Sequence, residues 1–135
     1  MMTLTRLDDE AALREFNWVE RRLKTNDVDP KKLRTWARKV PVVLRRNGIV
    51  AALLIAQREP EAGLIMAELA SAAGFRGDLS GQLQAAGALA EKDPLGYLRA
   101  QVTMTEHALW VKRAAEALIA DDKGNADVEN GEDNG

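Results

Sequence analysis

The sequence predicts an all-α protein: a compact, single-domain helical bundle of about six helices with no sheet. Three observations lead there. Apolar residues recur at i, i+3, i+4 and i+7 along most of the chain, the spacing of one helical face. The pairs Asp29-Pro30, Glu59-Pro60 and Asp93-Pro94 each place a capping or acidic residue before a proline, a helix-start signature. No stretch alternates apolar and polar residues for long enough to make a strand. The 135 residues suit one domain, which can bury about two thirds of the surface of its unfolded chain.

A first helix is expected from about Thr5 to Lys24. Leu4, Leu7, Ala11, Val19 and Leu23 form its apolar stripe, with Phe16 and Trp18 alongside. Acids lead (Asp8, Asp9, Glu10) and bases follow (Arg21, Arg22, Lys24), which suits the helix dipole. Thr25 to Pro30 is a turn, with Asp29 capping the second helix and Pro30 at its first position. In that second helix Leu33, Trp36, Ala37, Val40, Val43 and Leu44 share an arc of roughly 120°. Pro41 lacks the backbone donor, so a kink is expected there. Asn47-Gly48 marks a turn or tight junction, and the wholly apolar run Ile49 to Ala56 is expected to be the buried central helix. A helix starts at Glu59-Pro60 and ends at Gly74. A loop covers Gly77 to Gly81, followed by a weaker helix from Gln82 to Lys92 that Gly87 dilutes. After Asp93-Pro94 comes either one long helix or two, with Thr103 and Thr105 as possible caps of a second. The domain is expected to span residues 1–120. Residues 121–135, net −5 with three glycines, form an acidic tail whose composition predicts disorder.

Charge is unevenly distributed. The chain carries net −2, yet Lys31 to Arg58 holds eight bases and no acid: Lys31, Lys32, Arg34, Arg38, Lys39, Arg45, Arg46 and Arg58. Without the tail the body is +3. Helical phasing places Arg34, Arg38 and Arg45 opposite the apolar stripe, with Lys31, Lys32, Lys39 and Arg46 beside them. A helix built this way docks Trp36, Val40 and Leu44 in a core and presents a cationic ridge to water. Concentrated positive charge on an otherwise acidic chain points to an anionic partner, most often a phosphate backbone. A solvated charged face is the plainer explanation, and a helical protein–protein adapter with an acidic partner is the alternative function.

Little in the chain offers chemistry. There is no cysteine, which removes disulfides, thiolate metal sites and thiol nucleophiles and fits a reducing cytoplasm. His107 is the one histidine. It falls within an apolar arc, where a satisfied core or interface role is expected, and one histidine makes no typical zinc site. Neighbouring acids such as Asp8-Asp9 are explained by helix capping and dipole effects. No phosphate-binding glycine loop is present. The start of the chain is no signal peptide, and the longest apolar run, eight residues, is far short of the ~20 that span a bilayer. Trp18, Trp36 and Trp110 lie on or beside apolar stripes, so core packing is expected of them. A helix-turn-helix reader built on Arg45 to Gly48 fails, because the helix after that turn has no polar side chains for base edges. No catalytic residue, metal site or cofactor is expected.

Two stretches, Trp36 to Val50 and Thr105 to Leu118, resemble the small all-helical subunit of type III-B CRISPR effector complexes, the Cmr small subunit. That family's basic helix, with a basic residue, a hydrophobe and a proline followed by an Asn-Gly-hydrophobe step, is matched by Lys39-Val40-Pro41 and Arg46-Asn47-Gly48-Ile49. Its Trp-hydrophobe-Lys-Arg helix is matched by Trp110-Val111-Lys112-Arg113. The resemblance implies a cytoplasmic, non-catalytic subunit of an antiviral ribonucleoprotein. It implies copies stacked head to tail as an inner filament, beside the repeat-type backbone subunits and the large subunit, with a basic surface along the target RNA and the guide–target duplex. The expected RNA contacts are Arg34, Arg38, Lys39, Arg45 and Arg46. Lys112 and Arg113 extend that patch if the last helix packs beside the second.

Overall fold

A computed structural model describes the backbone of residues 2–120 and the side chains of residues 8–120. Five helices follow one another: α1 (Met2–Thr25), α2 (Pro30–Ala56), α3 (Pro60–Ala72), α4 (Leu79–Lys92) and α5 (Pro94–Leu118). No strand occurs among the described residues. The side chains of Leu4 and Leu7, and the acidic tail, lie outside the described residues.

The Asp29 and Asp93 caps form, whereas Glu59 makes no side-chain cap bond and α1 begins at Met2, so Asp8 and Asp9 lie beyond its first turn and do not cap it. The Asp29 carboxylate accepts from the backbone N–H groups of Lys31 and Lys32, and Pro30 opens α2. Buried Glu61 fixes this corner from α3, its carboxylate accepting from Asp29 N–H at 3.0 Å. Asp93 accepts from Gly96 N–H at the start of α5. The loop expected through Gly81 is shorter, because the Asp78 side chain accepts from Gly81 N–H and starts α4 at Leu79. Gly74 (φ 98°) stands just beyond α3. Buried Gln82 then ties α4 back to this turn, donating to the carbonyls of Ala67 and Phe75. The last helix is one unbroken element. Thr105 caps nothing and donates its hydroxyl to the Gln101 carbonyl one turn earlier.

Two expectations are corrected. Helical angles persist through Pro41, where a kink was expected, and the departure from helical geometry falls at Gly48 (φ 84°, ψ 174°), in the Asn47-Gly48 junction read from the sequence. Proline lacks its own N–H and crowds the preceding turn, yet the backbone leaves helical angles at Gly48, where no Cβ opposes positive φ. A side chain's first carbon at position 48 would also sit 3.4 Å from the Tyr97 hydroxyl. That hydroxyl accepts from Val50 N–H at 3.2 Å, and the Gln101 side-chain amide donates to the Leu44 carbonyl. Two α5 side chains thus satisfy backbone groups on either side of the break. Gly48 thus joins two helical segments across a kink, and with both counted in α2 the described residues hold five helices against about six expected.

The second correction concerns the centre of the bundle. Ile49, Ala52, Leu53 and Ala56 are buried as expected, but Leu54 is 52% and Ile55 43% exposed. The central element is α5, which packs against each of the other four helices. Its Met104, Ala108, Val111 and Ala115 meet a core supplied by Val19 of α1, Leu33, Leu44 and Leu53 of α2, and Ile65, Met66 and Leu69 of α3. Alanine-rich faces permit that close approach.

Candidate nucleic-acid interface

Because α5 lies along α2, the two basic stretches meet. Arg38 and Lys39 of α2 and Lys112 of α5 line one cleft of about 480 Å³, whose remaining walls are Trp36, Val42, Val43 and Ile55. Trp36 is only partly buried, with one part of the ring against the core residues Val40, Ala52 and Met66. The Lys39 ammonium stands 5.0 Å from its ring centroid. Arg38 reaches Glu116 of α5 at 3.4 Å, in an ion pair that is exposed on the Arg38 side. Exposed pairs of this kind contribute about 0–1 kcal/mol, so Glu116 holds Arg38 only weakly.

The other expected contacts distribute around this cleft. Arg45 and Arg46 are exposed, and Arg45 lies two turns beyond Arg38, about 10 Å along the helix axis. Arg34 is half-buried and already engaged within the fold. Arg113 does not join the patch. Its guanidinium sits 4.7 Å over the Trp110 ring, in a separate groove between α1 and α5 with Leu13, Phe16 and Ala114. Trp110, expected in the core, is half-buried in the wall of that groove, while Trp18 is the buried tryptophan of the three. Val42 falls outside the apolar stripe read from the sequence, whereas Ile55 belongs to a run that read as core, so the sequence did not signal that they meet beside the cations.

His107 is satisfied, as expected, although its partner was not foreseen. Its Nδ1 lies 2.6 Å from the carboxylate of Glu15, which is fully buried on α1. Arg14 holds Glu68 of α3 at 2.7 Å beside this pair. Burial pushes the Glu15 carboxyl up to about 7; the His107 hydrogen bond opposes that shift and neighbouring Glu68 adds to it. The hydrogen bond to Glu68 holds the Arg14 guanidinium more firmly protonated than usual. This cluster links α1, α3 and α5 and lies apart from the basic cleft. Among the described residues, no group of three or more His, Cys, Asp or Glu is placed to hold a metal ion. No described helix is long and apolar enough to cross a membrane.

Residues 7–118, from within α1 to the last residue of α5, match the model of the family described as CRISPR-associated protein (Cas_Cmr5). The chain belongs to the Cas_Cmr5 family. It is therefore a CRISPR-associated protein of the small-subunit family of type III-B Cmr complexes. No curated protein and no solved structure gives a significant match. Both stretches that carry the resemblance, Trp36 to Val50 and Thr105 to Leu118, fall inside the matched range, and so does every residue of the basic cleft. The acidic tail falls outside it.

Proposed function

We propose that this Cmr subunit binds RNA by its phosphate backbone, without reading sequence, as a non-catalytic element of an antiviral effector complex. The observation that carries the reading is the convergence of Arg38, Lys39 and Lys112 from two helices on one cleft, with Arg45 and Arg46 exposed further along α2. Cations at helical spacing track a backbone and carry no base-edge recognition. The target strand, alone or paired with the guide, is the RNA that the family reading favours. The test is charge reversal. Arg38→Glu with Arg45→Glu weakens RNA retention while the helical circular dichroism spectrum stays unchanged. Unchanged retention with an intact spectrum removes these residues from the interface.

Copies of the subunit stack head to tail, beside the repeat-type backbone subunits and the large subunit. Two exposed apolar surfaces at different ends of α5 support this. Leu95, Leu98 and Val102, each more than half exposed, form a ridge near its start. Leu13, Phe16 and Trp110 line the α1–α5 groove toward its end. Contacts between two different surfaces are heterologous, and where the rotation between copies does not close a ring they build an open filament. The competing reading is an adapter whose basic face holds an acidic protein. Size-exclusion chromatography with and without nuclease separates the two: nuclease-sensitive co-elution supports RNA, and a nuclease-resistant protein partner supports the adapter.

A further inference from the structure

The basic cleft has an apolar floor that backbone binding leaves unused. Val42 is 46% and Ile55 43% exposed at this site, and the partly buried Trp36 lines the cleft with them. Arg38, Lys39 and Lys112 stand around that floor. A phosphodiester alone neutralises the cations and leaves the floor wet. An acidic peptide does the same: the chain's own tail carries only Ala126 and Val128 as apolar residues among fifteen. A nucleotide of a single strand presents both chemistries at once, a flat apolar base and an anionic phosphate on either side of it. The cleft, about 480 Å³, is in the size range of small-ligand sites. Base-on-aromatic contact tolerates any base, because every base has a π-face.

We propose that this cleft takes one unstacked nucleobase of a single-stranded RNA, seated on Trp36, Val42 and Ile55, with its flanking phosphates on Arg38, Lys39 and Lys112. The proposal rests on the RNA-binding reading above and deepens it: the site recognises a splayed nucleotide as well as a backbone. Lys39, now over the Trp36 ring, swings to the phosphate as the base takes the ring face. Paired RNA holds its bases in the stack and cannot fill the floor.

The test uses the full chain and two six-residue probes of equal charge, an oligoadenylate and an oligoribose-phosphate lacking bases, compared by fluorescence anisotropy. The oligoadenylate is expected to bind about 5- to 100-fold tighter, the range that one stacked base supplies. The variant Val42→Ser with Ile55→Ser keeps every cation and changes only exposed side chains. It is expected to lose most of that preference and to retain its affinity for the abasic probe. Equal affinity of the unaltered chain for both probes overturns the nucleobase site and leaves backbone binding standing. Displacement of both probes to the same extent by a peptide of residues 121–135, with no preference for bases, assigns the cleft to an acidic segment and overturns it too. Failure of both probes to bind overturns this inference together with the RNA reading.

Discussion

Glu15 makes folding stability depend on pH above the ordinary carboxylate range. The chain has one histidine, the partner of Glu15 itself, and no cysteine. Burial raises the Glu15 carboxyl from its ordinary 4.5 to about 7. The unfolded chain releases this proton near 4.5 and the folded chain holds it to about 7, so the folded state binds more protons in between. The contribution to stability is complete below the unfolded value and is lost as pH rises through the folded one. Across pH 5.5 to 8 the difference integrates to about 2 kcal/mol. With a urea slope of about 2 kcal/mol/M for a chain of this size, the unfolding midpoint falls by about 1 M over that range. Urea titrations followed at 222 nm, at half-unit pH steps, measure the slope. Glu15→Gln keeps the shape and the hydrogen-bonding capacity but carries no charge, so its midpoint is expected to stay nearly flat and to exceed the parent's at pH 8. A parent midpoint that is flat, or a Glu15→Gln variant that keeps the parent slope, refutes the reasoning.

Four further outcomes follow from the packing. Gly48→Ala is expected to lower stability by about 1–2 kcal/mol through positive-φ strain, and thermal unfolding read by circular dichroism measures it. Tyr97→Phe leaves the Val50 N–H without its acceptor and is expected to cost about 1–3 kcal/mol in urea unfolding, with RNA affinity unchanged. Asp29→Ala removes the cap of α2 and is expected to cost about 1 kcal/mol by the same measurement. Leu98→Glu places a charge on the exposed α5 ridge and is expected to abolish concentration-dependent self-association in sedimentation velocity without changing the monomer's helical spectrum.

Helix starts were the most legible part of the sequence, because each depends on two adjacent residues: Asp29-Pro30, Glu59-Pro60 and Asp93-Pro94 all open helices where expected. The break in α2 was also legible, in the Asn47-Gly48 pair, and only the additional kink expected at Pro41 is absent. Pro41 keeps helical angles, whereas at Gly48 no Cβ opposes positive φ and side chains of α5 bond the backbone of Leu44 and Val50 on either side. Long-range partners also explain the other surprises. Nothing near Glu15 announces a buried acid, since its histidine is 92 positions away. The apolar run Ile49 to Ala56 carries no information about which of its faces stays bare, so Leu54 and Ile55 read as core. The cationic ridge was legible from phasing alone. Its extension to Lys112 depended on how α5 packs, and the same packing carried the adjacent Arg113 into a different groove.

The most direct test of the RNA reading is the salt dependence of binding to a single-stranded RNA. Arg38, Lys39, Arg45, Arg46 and Lys112 together predict a slope of log K against log salt of about −3.5, at roughly 0.7 per phosphate contact. Arg38→Glu with Arg45→Glu is expected to bring the slope to about −2, with the helical spectrum intact. A slope near zero, or one that the double reversal leaves unchanged, contradicts the assignment of this face to RNA.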